Sequence, residues 1–313
     1  MHKKLTIILL FFATTVFAQK KPLDHTVYDS WESVGVKQLS ANGQWAGYTI
    51  VKQEGDANLY LNSLSNSAKI TVPRGEQLKF TADSKFAAFL IKPLFAATRQ
   101  EKIKKKKPEE MSKDSLGFVN LTTNAVTKIA RVKSFKIPED AGNFLAYQKE
   151  AAVDTGKTKD KKESSDLILR NLLSGIERTF KYVSAYEISK NGKQLIFTSP
   201  GSKKDITAKA GVFVYNTEKG TLKTLVNAKG NFSGFVFDHE GEQIAFLGET
   251  SPEKTEVKDY GVYYNSLTLD TAQVLVDNEI EGLPAKWTVS GDGKLAFSKE
   301  GTKLFFGIAP LKK

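Results

Sequence analysis

Three histidines, no cysteine and no G-x-S-x-G string set narrow limits on the chemistry this chain can carry. A serine nucleophile needs a histidine base within hydrogen-bond reach, and outside the first eighteen residues only His25 and His239 are available. The strings nearest to a nucleophile elbow, Gly230-Asn231-Phe232-Ser233-Gly234 and Val289-Ser290-Gly291-Asp292-Gly293, lack the spacing, and neither offers the required strand-to-helix turn. His239 fills a slot taken by Ala41, Lys190 and Lys299 in sister copies of a repeat, so it reads as an exposed turn position. His25 lies near the start, where it could cap or pack against another domain. Two histidines without a thiolate do not make a zinc site unless several carboxylates join them. The paired acids Glu109-Glu110 and Glu139-Asp140 fall in a Lys-rich stretch and in a turn, where solvated charge is expected. Trp31, Trp45 and Trp287 stand at or just before Gly-type turns, so packing between sheets is their expected role. No catalytic, cofactor-binding or metal-ligating residue is assigned, and no cofactor is implied.

What would position such residues is a repeat. Leu39-Ser40-Ala41-Asn42-Gly43, Ile188-Ser189-Lys190-Asn191-Gly192, Phe237-Asp238-His239-Glu240-Gly241 and Phe297-Ser298-Lys299-Glu300-Gly301 each lead into an apolar strand. Degenerate copies occur at Phe80 to Phe89 and Ile137 to Ala146. Asn-Gly and similar pairs are the signature of primed hairpin turns, with positive φ, between strands.

A second self-similarity runs out of phase with the first: Leu59-Tyr60-Leu61-Asn62, Phe118-Val119-Asn120, Ile168-Leu169-Arg170-Asn171, Phe213-Val214-Tyr215-Asn216 and Val262-Tyr263-Tyr264-Asn265. Its Asn positions are 58, 51, 45 and 49 residues apart. That period fits four short strands with their turns, which predicts an all-β chain of β-propeller blades with four strands each. Five full units and part of a sixth are legible over 19–313, and the chain reaches Lys313 before the sixth Asn strand. The propeller is therefore expected to be incomplete at the C-terminus. The Gly-type turn and the Asn are 24 residues apart in the units beginning at Gly192 and Gly241, but 36 apart after Ser84 and 29 after Gly142. The surplus coincides with two Lys-rich stretches, 99–113 and 149–165, expected to be loop inserts that stay in water.

Residues 1–18 carry Lys3-Lys4, an apolar run from Leu5 to Phe17 and a small-residue site at Val16-Phe17-Ala18, the pattern of a secretory signal peptide. The run is shorter than the roughly 20 residues that span a bilayer, so no membrane attachment is expected after cleavage and the product belongs in the periplasm or outside the cell. With no cysteine, disulfides and thiolate metal sites are excluded. Loss of Lys3 and Lys4 lowers the net charge from +11 to +9. Aromatic residues do not interleave with the Lys clusters, so the stacking platforms of a nucleic-acid site are missing and no nucleic-acid partner is expected.

The whole mature chain resembles the N-terminal propeller of the prolyl oligopeptidase (S9) family of serine peptidases, in the large secreted form of Bacteroidetes-like bacteria. The resemblance rests on the signal peptide, Lys21 to Trp31, the turn Leu39 to Trp45, Lys113-Asp114-Ser115-Leu116-Gly117 and Ser298 to Gly307. It implies a propeller that gates access of peptides to an α/β-hydrolase domain carrying Ser, Asp and His, none of which can be matched here. Peptide substrate would then be met through that absent domain, and this chain alone would be inactive. The TolB-type propellers share the turn repeat, and they imply instead a non-enzymatic module that binds a protein partner on one face.

Overall fold

A computed structural model describes residues 25–151, 165–202, 205–252, 254–255 and 258–311. The signal-peptide reading over 1–18 and most of the second Lys-rich stretch, 149–165, lie outside them.

The chain is all-β, a succession of four-stranded antiparallel meanders arranged as propeller blades. The first sheet is β1 (Glu32–Leu39), β2 (Trp45–Lys52), β3 (Asn58–Ser63) and β4 (Lys69–Pro73). The second is β5 (Gly75–Phe80), β6 (Phe86–Ile91), β7 (Ser115–Asn120) and β8 (Val126–Ala130), and the third β9 (Val132–Lys136), β10 (Phe144–Lys149), β11 (Ser165–Asn171) and β12 (Glu177–Val183). The fourth holds β13 (Ala185–Ile188), β14 (Gln194–Pro200), β15 (Ala210–Asn216) and β16 (Thr221–Val226). The fifth holds β17 (Asn231–Phe237), β18 (Ile244–Glu249), β19 (Tyr260–Asn265) and β20 (Gln273–Val276). Beyond them, β21 (Trp287–Val289) pairs with β24 (Ile308–Pro310), and β22 (Ala296–Phe297) with β23 (Leu304–Phe305).

The core lies between sheets rather than within one. Along β6, Ala87, Phe89 and Ile91 pack toward Leu59 and Leu61 of the first sheet, whereas Phe86, Ala88 and Leu90 pack toward Leu145 and Ile168 of the third. All six β6 residues are buried, as are all six of β18. Because side chains alternate across a strand, burial on both faces turns an alternating pattern into a continuous apolar run. First strands of neighbouring sheets touch, β1 with β5 and β13 with β17, which gathers them around a common axis. β1, β5 and β17 each carry a register shift against the second strand of their sheet, and such bulges add the local twist that strands crowded at an axis need.

The repeated turns are not the primed type expected. Ser40 Oγ donates to Asn42 Oδ1 (2.7 Å) and accepts from Trp45 N (3.0 Å), while Gln44 N donates to Asn42 Oδ1 (3.0 Å). Ser189 and Asn191 repeat the pattern. Only the glycine is left-handed, with φ of 69° at Gly43, 71° at Gly192, 70° at Gly241 and 68° at Gly301. A type I′ turn would need positive φ at two successive residues. Side-chain hydrogen bonds close a longer loop instead, and in the second copy Ser84 takes the left-handed place at φ 56°.

The Asn repeat has a different cause. The side chains of Asn120, Asn171 and Asn216 accept hydrogen bonds from backbone N–H groups two and three residues on, imitating a backbone turn. Asn62 is one position early. Ser63 Oγ does the work in the first sheet, accepting from Ser65 and Asn66, and Asn62 Nδ2 reaches Tyr48 Oη instead.

Candidate functional site

The meander sorts the connections onto two ends. Turns from first to second strands and from third to fourth lie at one end, and connections from second to third strands lie at the other, beside the links between sheets. At the first end the Gly-type turns of consecutive sheets bond to one another. Asn42 N donates to Ser84 Oγ (3.1 Å), Asp140 N to Lys190 O (2.8 Å), Asn191 Nδ2 to Glu240 O, and Gln243 Nε2 to Gly301 O (3.1 Å). Lys190 Nζ also sits 2.8 Å from Glu139 Oε2, which raises the lysine pKa.

The residues singled out from sequence are not brought together. His239 is exposed in its turn, and His25 is exposed in a 3-10 helix, His25–Ser30. Glu139 and Asp140 belong to the turn contacts just described, with Glu139 paired to Lys190. Glu109 and Glu110, expected in a loop, stand in a 3-10 helix, Pro108–Glu110, with no residue buried. Trp45 is buried against the second sheet. Trp31 and Trp287 depart from the packing expected of them, at 53% and 38% exposed. Trp31 lies on the N-terminal approach to the first sheet, edge-on to Tyr28 at 4.8 Å, and Trp287 lies on the short β21.

The Lys-rich stretch 99–113 is more than a loop. It sits within the β6–β7 connection, which begins with an α-helix, α1 (Phe95–Ile103). Asp56 of the β2–β3 connection caps that helix by accepting from Phe95 N at 2.8 Å. Glu101 folds the rest of the insert back, accepting from Ser112 N (2.9 Å) and Oγ (3.0 Å) and from Lys106 Nζ (3.2 Å). The Ser112 amide and then Lys106 hold the Glu101 carboxyl below its ordinary pKa.

This folding leaves a cleft of about 290 Å³ between the β2–β3 connection, the Pro73–Gly75 link and the insert. Its floor includes Ala57, Pro93 and Phe95, and its charged groups are Asp56, Arg74, Glu76, Lys92, Lys102 and Asp114. Lys92 Nζ and Asp114 Oδ2 pair at 2.7 Å across the mouths of β6 and β7. Arg74 holds a left-handed backbone at φ 62°, fixed by Arg74 N to Ala57 O (2.7 Å) and Lys92 N to Arg74 O (2.9 Å). Sequence reasoning passed over these residues because the insert read as solvated charge. The available signal was the recurrence of an arginine in the links Pro73-Arg74-Gly75 and Ala130-Arg131-Val132.

A second feature is the outer face of the first sheet. Toward the second sheet it buries Trp45, Leu59 and Leu61, but on the other side Val34 and Leu39 are 54% and 67% exposed and Tyr48 stacks on Tyr60 at 5.4 Å. Among the described residues no helix is long and apolar enough to cross a membrane, and no three His, Asp or Glu residues are grouped as metal ligands.

No protein-family model and no curated protein sequence matches the chain. Among solved structures it is similar to the β-propeller domain of the Trilobed protease from Pyrococcus furiosus, at 16% identity over 91% of this chain and 86% of that one, with a TM-score of 0.44. It is similar to the Pyrococcus horikoshii acylaminoacyl peptidase at 9% identity, over 88% of this chain and 42% of that one, with a TM-score of 0.46. It is also similar to TolB from Acinetobacter baumannii, at 12% identity over 74% and 51%, with a TM-score of 0.34. The chain thus spans less than half the length of the acylaminoacyl peptidase.

Proposed function

We propose that this chain is the access-controlling propeller of an exported S9-type serine peptidase, with hydrolysis carried out by an α/β-hydrolase domain outside these 313 residues. The observation that carries the reading is the asymmetry of the two ends. One end carries short turns, most of them bonded to the turn of the neighbouring sheet, whereas the longest connection described, residues 92–114, is built out at the other. A row of tied sheets with one elaborated end suits a scaffold that positions loops at an entrance, because loops carry recognition while the sheets fix where they stand. The exposed His25 and His239 are far poorer candidates for a base than a buried, oriented histidine would be.

The test has two parts. Coding DNA read past Lys313 should encode G-x-S-x-G followed by Asp and His. The isolated 19–313 product should take no label from a fluorophosphonate probe, and labelling would overturn the placement of catalysis elsewhere. The uncovered face at Val34, Leu39 and Tyr48 favours a second reading, a non-enzymatic propeller that docks a protein partner. A stop codon directly after Lys313, with a folded product, would select it.

A further inference from the structure

The cleft beside α1 has the make-up of a binding site whose occupant is not tied to the peptidase reading. Its walls are fixed at four points: Arg74 N to Ala57 O, Lys92 N to Arg74 O, Phe95 N to Asp56 Oδ1 and Lys92 Nζ to Asp114 Oδ2. Those contacts also use up much of its charge. Asp56 is committed to the helix cap, and Lys92 and Asp114 neutralise each other. Arg74, Lys102 and Glu76 remain, and among the described residues their side chains make no hydrogen bond or ion pair.

The repeat supplies an internal control. Arg131 occupies the equivalent link between the second and third sheets, with φ 59° and the same carbonyl bond, Glu150 N to Arg131 O at 2.8 Å. Arg131 spends its guanidinium on Ala151 O at 3.1 Å. Arg74 has the same left-handed backbone and lines the cleft, but its side chain makes no such bond. A left-handed backbone in a non-glycine residue costs about 1 kcal/mol or more, so a side chain kept there without an internal partner points to an external one.

We propose that this cleft binds the C-terminal end of a short peptide, with the carboxylate on Arg74, the free ammonium group on Glu76 and an apolar side chain over Phe95 and Pro93. A guanidinium presents paired donors that match a carboxylate. Three carboxylates in the same cleft, Asp56, Glu76 and Asp114, balance three cations, Arg74, Lys92 and Lys102, so the cleft carries no net positive charge to hold a dianion such as phosphate and suits a singly charged group that brings its own donor. The volume of about 290 Å³ is at the small end of ligand pockets and fits a dipeptide better than a long segment.

The probe is the dipeptide Gly-Phe, titrated into the full chain and followed by heteronuclear NMR at the amides of Ala57, Phe95 and Ser112. Saturable shifts at these positions are expected, with Gly-Phe amide binding about tenfold or more weakly because one charge-assisted pair is lost. Arg74→Gly should abolish binding while leaving the melting temperature unchanged or higher, since glycine accepts the φ of 62°. Glu76→Gln should weaken Gly-Phe but leave N-acetyl-Gly-Phe within about twofold, a comparison that holds even if Arg74→Gly folds poorly. Equal affinity for the amide, undiminished binding by folded Arg74→Gly, or tighter binding of inorganic phosphate would each overturn the assignment.

Discussion

Gly43 and Gly241 occupy the same place in the repeated turn and have nearly the same φ, 69° and 70°, yet alanine should be tolerated very differently at the two. At Gly43 a Cβ would meet nothing within 4 Å, so Gly43→Ala carries only the left-handed penalty, about 1 kcal/mol after the gain from a stiffer unfolded chain. At Gly241 the Cβ would lie 3.0 Å from Asn191 Nδ2 and Oδ1 and 3.2 Å from Ser189 Cβ. Asn191 cannot simply swing away. Its Nδ2 donates to Glu240 O, and its Oδ1 accepts from Ser189 Oγ and Lys193 N, so displacement loosens both the tie between sheets and the neighbouring turn. Losing one or two hydrogen bonds adds about 1–2 kcal/mol, which brings Gly241→Ala to about 2–3 kcal/mol. Urea unfolding of both variants, with slopes compared to the parent, measures the difference. A cycle with Asn191→Ala should remove the excess at Gly241, because the group being displaced is then gone. Equal destabilisation by the two glycine substitutions, or an excess that survives Asn191→Ala, would refute the claim that the turns lock sheet to sheet.

Three further outcomes follow from the same geometry. Asp238 is buried and accepts from Glu242 N (2.8 Å) and Gln243 N (2.9 Å), so Asp238→Ala should cost about 2 kcal/mol by chemical denaturation, while Asp238→Ser, the residue of sister turns, should cost less. Phe246 is fully buried between the fourth and fifth sheets beside Phe232, Phe235 and Tyr263, and Phe246→Ala should cost about 3–5 kcal/mol in the same assay. Burial holds the phenols of Tyr147 and Tyr186 protonated well above the ordinary tyrosine range, reinforced at Tyr147 by its bond to Glu177. The folded pKa is raised, so their contribution to stability is intact below about pH 10 and lost as pH rises beyond it. Ultraviolet phenolate absorbance should therefore show these two ionising only with unfolding, and Tyr147→Phe should lower the number of phenols that ionise in that transition by one.

The meander, its period and the alternation of turn and strand were legible in the sequence because each is a local property. Asn120, Asn171 and Asn216 make turns with their own neighbours, and Ser40 and Asn42 close a loop over five residues. The continuous apolar run of β6 likewise announces burial on both faces. Turn type was less legible: an Asn-Gly pair suits several turns, and the Ser and Asn side-chain bonds decided among them. Asn62 and Ser63 show the same limit, since a tyrosine across the sheet claimed the asparagine and a serine replaced it.

Only the tertiary structure decided where charge is exposed and where it is assembled. Lys92 and Asp114 are 22 residues apart and pair because β6 and β7 are neighbours, and Asp56 caps a helix 39 residues away. No composition or spacing reveals such meetings, so a Lys-rich stretch that reads as solvated loop becomes one wall of a cleft. The packing of Trp31 and Trp287 was undetermined for the same reason. A residue's type says what it can bury against, and the sheets on either side of it determine whether anything is there.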